Sequence, residues 1–92
     1  MNAPLPLHRT LDQLPLGTRC RVVGVAGGLA VKRRLLEMGL CTGVEIDVLR
    51  RAPLGDPLEV RLRGYLLSLR HDQAAQVRVE AIASDHAVSL SV

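Results

Sequence analysis

Residues Gly27 to Pro57, GGLAVKRRLLEMGLCTGVEIDVLRRAPLGDP, dictate a helix, a glycine stop, a strand and a stiff turn in immediate succession. The helix runs from about Leu29 to Met38, and Gly39 is placed to end it in the left-handed conformation that glycine adopts freely. At ~100° per residue, Val31, Leu35 and Met38 share one face and are the expected core contacts. Leu29 and Leu36 lie almost opposite, flanked by Lys32 and Arg33. Burying both leucine stripes would require cover on two sides. Lys32, Arg33 and Arg34 fall in the first half of this helix, where its dipole disfavours cations by a few tenths of a kcal/mol each. Arg33 and Glu37 are spaced to pair at i, i+4. After Gly43, Val44, Ile46 and Val48 alternate with Glu45, Asp47 and Leu49, the period of a half-buried strand. Ala52-Pro53-Leu54-Gly55-Asp56-Pro57 then reads as a rigid turn.

The rest of the chain repeats the strand period. Thr18, Cys20 and Val22 alternate with Arg19, Arg21 and Val23. Leu58, Val60 and Leu62 alternate with Glu59, Arg61 and Arg63, and Gly64 reverses the chain into a strand from Tyr65 to Arg70. His71 to Ala75 is a short turn or helical bend. Val77, Val79 and Ala81 make the last strand. Upstream, Thr10-Leu11-Asp12-Gln13 has the capping-box pattern, and Pro15 and Gly17 stop that helix after one turn. About five strands with one main helix and short helical turns predict a mainly β fold, a small, partly open barrel. Residues 1–9 form a Pro-interrupted lead-in, 10–83 the domain, and 84–92 a tail in which Val88, Leu90 and Val92 are spaced for an edge strand.

With 92 residues the chain is one domain, and its core must be aliphatic because Phe and Trp are absent and Tyr65 is the one aromatic residue. Stacking platforms for single-stranded nucleic acid need several aromatic faces. A net charge of +3 suits an acidic partner. Cys20 and Cys41, the two cysteines, lie in apolar stretches without a Cys-x-x-Cys pair, as expected of reduced, mostly buried thiols. No signal peptide or ~20-residue apolar span is read, so the expected location is cytoplasmic.

No residue is placed for catalysis. His8, His71 and His86 are scattered, and His71-Asp72, the nearest thing to an acid–base pair, suits a structural turn better. His, Cys, Asp and Glu do not take the spacing of a closed metal site. The expectation is no enzyme and no intrinsic cofactor, with weak divalent-ion binding at surface histidines still compatible.

Arg34-Leu35-x-x-Met38-Gly39-Leu40, Gly43, Ala52-Pro53-Leu54-Gly55-Asp56-Pro57, Gly64, Leu67-x-Leu69-Arg70, Ala74 and Val77-x-Val79 together resemble the signature of FeoA-type proteins. A looser form occurs in the C-terminal domain of DtxR-type metal-dependent repressors. The resemblance runs from about Thr10 to Ala81. It implies an SH3-like barrel with the main helix inserted between its first two strands. It also implies an accessory role in bacterial ferrous iron uptake, exerted by contact with the cytosolic G domain of the FeoB-type membrane transporter. Self-association is compatible with it. The alternatives are a basic SH3-like barrel that binds RNA or a nucleoprotein, or a stand-alone metal-regulator domain. A missing helix-turn-helix argues against direct DNA reading. The expected partner-binding residues are Leu29, Lys32, Arg33 and Leu36 on the helix, and Pro53 and Leu54 on the turn.

Overall fold

Strand periodicity in the sequence becomes a single antiparallel sheet. A computed structural model describes residues 9–82. In chain order the elements are strand β1 (Arg9–Thr10), a 3-10 turn (Leu11–Gln13), β2 (Arg19–Val25), helix α1 (Leu29–Glu37), β3 (Glu45–Arg51), β4 (Leu58–Leu62), β5 (Tyr65–Leu69), the single helical turn α2 (His71–Ala74) and β6 (Val77–Ala81). The sheet order is β1-β6-β2-β3-β4-β5. The five expected strands are present, and β1 is a sixth. It forms where the lead-in was expected to end, pairing Arg9 with Val79 and Thr10 with Arg78. Counting β1, the main helix lies between the second and third strands rather than the first and second. The expected tail strand lies outside the described residues, as do His8 and His86.

Alternation fixes which face is buried. Cys20, Val22, Val44, Ile46, Val48, Leu58, Val60, Leu62, Val77 and Val79 all point into one core, joined by Leu11, Leu14, Leu35, Leu40, Leu69 and Ala74. Irregularities in register occur between Val22 and Gly24 in β2 and between Val48 and Arg50 in β3. Each adds a residue to one strand, which bends it and sharpens the twist. Such bending is needed here. In a flat sheet with ~4.8 Å between strands, β5 and β6 would stand about 19 Å apart. The short link through α2 joins them, and His71 at its start meets Asp12, just after β1, with Nε2 3.3 Å from Oδ2. The two edge strands are therefore drawn toward each other, as in a barrel.

Two turns illustrate how local chemistry sets this register. Arg63 and Gly64 form a two-residue hairpin loop between the paired residues Leu62 and Tyr65, and both have positive φ, 51° and 84°. That is the primed turn whose twist matches antiparallel strands. At the other end of β4, the Pro-rich turn closes with Ala52 N–H donating to Pro57 O at 3.0 Å and Gly55 N–H to Ala52 O at 2.7 Å. In the capping box at Thr10, its N–H donates to Gln13 Oε1 at 3.2 Å.

Candidate partner-binding surface

Helix α1 begins at Gly28, which supplies no capping side chain, and ends in a complete glycine cap. Gly39 N–H donates to Leu36 O at 2.9 Å and Leu40 N–H to Leu35 O at 3.0 Å, with Gly39 at φ 97°. These two bonds with left-handed glycine are the Schellman arrangement, and the buried pair Leu35 and Leu40 provides its apolar contact. Tyr65 from the β4–β5 hairpin adds a third element, its hydroxyl donating to Met38 O at 2.9 Å. The C-terminal end of α1 is thus tied to the sheet.

The face of α1 turned to the core is narrower than its sequence implies. Leu35 is its one fully buried residue, with Met38 packed partly against the core. Val31, expected in the core, is 39% exposed. The helix rests on the barrel through its C-terminal half, so its first turn stands off, and Val31 Cγ1 instead lies over the backbone of Gly27. Arg34 also departs from expectation. Because the helix ends at Glu37, Arg34 belongs to the last turn, where a cation is favoured by the dipole. The Arg33–Glu37 pair is not formed among the described residues.

On the opposite face, Leu29 is 72% and Leu36 52% exposed, and Lys32 and Arg33 between them are exposed. The four occupy positions i, i+3, i+4 and i+7, a single stripe on the helix surface. Among the described residues neither Lys32 nor Arg33 has an ion-pair partner. The stripe therefore presents two leucines and two unpaired cations to solvent, an apolar contact area with a basic border.

Pro53 and Leu54 do not join it. Leu54 is 96% exposed, at the tip of the turn after β3, whereas α1 leads into the start of β3. Seven strand residues separate those ends, roughly 20 Å. The turn packs with the opposite end of the barrel, where Asp56 Oδ1 accepts the His71 N–H at 2.9 Å. The expected site residues thus divide into two surfaces.

His71 and Asp72 make no acid–base pair. His71 faces Asp12, and Asp72 lies 3.7 Å from Arg70. Both cysteines are free. Burial, followed by the nearby Asp47 carboxylate, pushes the Cys20 thiol up to about 12. Cys41 is partly buried, its Sγ 3.7 Å from Gly39 O. Among the described residues no three His, Cys, Asp or Glu side chains gather to hold a metal, and no helix is long and apolar enough to cross a membrane. Two features were beyond the sequence reading. Alternation assigns Arg61 and Arg63 to the outer face, but their neighbours depend on strand register. The contact of Tyr65 with α1 depends on the curl of the sheet.

Comparison with known proteins agrees with this architecture. The FeoA domain model matches residues 9–81. A Fe(2+) transport protein A/Fe(2+) transporter FeoB fusion protein from Porphyromonas gingivalis is 40% identical over 75 residues, covering 82% of this chain. The chain spans 9% of that protein's length. An NMR structure of a FeoA-like protein from Clostridium acetobutylicum superposes with a TM-score of 0.79 at 34% identity, covering 87% of this chain and 93% of the other. Stenotrophomonas maltophilia FeoA, crystallised with zinc and described as a prokaryotic SH3 domain protein, has a TM-score of 0.66 at 35% identity, covering 77% and 88%. A manganese-dependent transcriptional repressor shares the fold at 20% identity and a TM-score of 0.78, over 86% of this chain and 39% of its own. With the family model matching nearly the whole described region and the SH3-like fold in common, this chain belongs to the FeoA family.

Proposed function

We propose that the chain is an accessory of ferrous iron transport that acts by docking the exposed stripe of α1 on the cytosolic G domain of a FeoB-type transporter. The observation that carries this reading is the relative in which a matching domain and the transporter are one polypeptide. Fusion of two modules holds them at high effective concentration, which benefits partners that work in contact. The exposed stripe of α1 supports this reading: two leucines stand out to solvent, with Lys32 and Arg33 free to meet acidic residues. The role is one of contact and regulation, in the cytoplasm, without catalysis.

Lys32→Glu combined with Arg33→Glu tests the docking surface. Both side chains are exposed and unpaired among the described residues, so the thermal melt should stay nearly unchanged. Binding to the isolated cytosolic domain of the transporter, followed by calorimetry, should weaken. The loss should shrink as salt rises, since screening sets in beyond ~8–10 Å at moderate ionic strength. Undiminished binding at low salt would move the partner surface off α1, with Pro53 and Leu54 as the next surface to alter.

A further inference from the structure

The outer face of β2, β3 and β4 arranges its charges in rows across the strands. Arg19 stands opposite Asp47, and Asp47 opposite Arg61. In the neighbouring row Arg21 stands opposite Glu45, and Arg63 follows two residues after Arg61 at the hairpin tip. Together Arg19, Glu45, Asp47, Arg61 and Arg63 line an open cleft of about 340 Å³. Its two carboxylates are already engaged. Asp47 accepts from Arg19 Nε at 2.9 Å, and Glu45 from Arg21 at 3.4 Å. Among the described residues Arg61 has no ion-pair partner, and Arg63 makes one contact, to Cys41 Sγ at 3.9 Å.

Arg63 is also where the backbone disagrees with the residue. It is the one non-glycine with positive φ among the described residues, in a loop position that Asn, Asp or Gly fills with less strain. A strained position held by a charged, exposed side chain points to a use for that side chain.

We propose that Arg61 and Arg63 bind a carboxylate side chain from an acidic segment of a partner protein. The planar guanidinium presents paired donors that match a carboxylate. Arg61 on β4 and Arg63 in the loop that follows it line the same cleft, so both forks are available to one small anion. A singly charged carboxylate fits better than a dianionic phosphate, because Asp47 and Glu45 on the same walls repel a second negative charge. The cleft also lies at the α1 end of the barrel. Tyr65, two residues after Arg63, bonds to Met38 at the end of the helix, and Arg63 itself reaches Cys41 just beyond it. The cleft and the C-terminal end of α1 therefore share one end of the barrel, and a partner docked on the helix has the cleft at that same end. The identity of that partner rests on the docking reading above, whereas the carboxylate site stands on its own residues.

Wild type and an Arg61→Gln, Arg63→Asn double variant separate the two. Asn is at ease with positive φ, so the variant should fold and melt no lower than wild type. In proton–nitrogen NMR, hexaglutamate should shift the Nε–Hε signals of Arg61 and Arg63 saturably, and inorganic phosphate at equal ionic strength should not. The double variant should lose roughly tenfold or more in affinity for the transporter's cytosolic domain, the usual effect of removing charge-assisted hydrogen bonds. Unshifted Arg61 and Arg63 signals with hexaglutamate, or equal saturation by phosphate, would overturn the carboxylate site. So would unchanged affinity in the double variant while Lys32→Glu with Arg33→Glu abolishes binding, an outcome that leaves the docking reading intact. Saturable shifts with hexaglutamate, in a protein that does not bind the transporter domain at all, would support the site and refute that reading instead.

Discussion

Gly39→Ala carries two separable penalties, and the structure allows them to be measured apart. The first is backbone strain. Gly39 has φ 97°, and an L-residue in a left-handed conformation costs about 1–2 kcal/mol. The second is steric. A Cβ at Gly39 would stand 2.6 Å from the Tyr65 hydroxyl and 3.9 Å from the ring carbon that bears it. The hydroxyl must move, and its hydrogen bond to Met38 O, 2.9 Å long, is lost. A hydrogen bond of this kind contributes about 0.5–1.5 kcal/mol, at the lower end here because Tyr65 is 45% exposed and water competes. In the Tyr65→Phe background the hydroxyl is gone, and the ring carbon keeps an ordinary contact distance. Gly39→Ala should then cost the backbone strain alone. The assay is urea and thermal unfolding of wild type, both single variants and the double variant, followed by far-UV circular dichroism because Tyr65 is the one aromatic reporter. The expected loss is about 1.5–3 kcal/mol in the Tyr65 background, or roughly 6–24 °C in a domain of this size, with the two variants coupled by about 0.5–1 kcal/mol. Equal cost of Gly39→Ala in both backgrounds would refute the contact between Tyr65 and the helix end, and no cost in either would refute the cap.

Other outcomes follow from the same contacts. Leu35→Ala should destabilise by about 2–5 kcal/mol in chemical denaturation, since it removes the one fully buried side chain of α1. Leu29→Ser with Leu36→Ser should leave the melting temperature within a few degrees of wild type and reduce capture by the transporter domain, because both leucines are exposed. The Cys20 thiol, held up at about 12, stays protonated in the folded state at pH values where the unfolded chain has already lost that proton, near its ordinary value of 9.0. Stability from this site is therefore complete below about pH 9 and falls as pH rises toward 12, and Cys20→Val should flatten that alkaline decline in urea titrations. Ferrous iron or zinc titrated into the protein should give no one-to-one sub-micromolar binding in calorimetry. A tight site would require ligands brought together in a way the chain's spacing does not suggest.

The barrel was legible because its strands announce themselves. Val44, Ile46 and Val48, like Leu58, Val60 and Leu62, keep a strict period of two, and all six are buried. Gly39 was legible for a similar reason, as a glycine directly after an amphipathic run. β1 was not, since two residues carry no period and its pairing with Arg78 and Val79 is a long-range event. The helix was half legible. Leu29, Lys32, Arg33 and Leu36 form the outward stripe that the period predicts, but the buried face is one turn shorter than the period implies, because how far Val31 stands from the core is set by packing and not by period. The split between the α1 stripe and the Pro53–Leu54 turn, and the meeting of Arg61 with Asp47 and Arg19, depend on strand register. Register is fixed by turns and by the pairing of residues distant in sequence, so neither could be counted off the chain.

The unequal anchoring of α1 has a consequence for how its surface behaves in time. One end is fastened by Leu35, the glycine cap and Tyr65, while the other begins at Gly28 without a capping side chain. A helix held this way opens from its free end in small steps, at a free-energy cost below that of unfolding the sheet. Amide exchange would grade along it, fast around Ala30 and Val31 and slow at Leu35. With exchange graded in this way, Leu29 would lie on the part of the helix that opens first and Leu36 on the part that stays closed, so a partner would meet one leucine in place and order the other on docking.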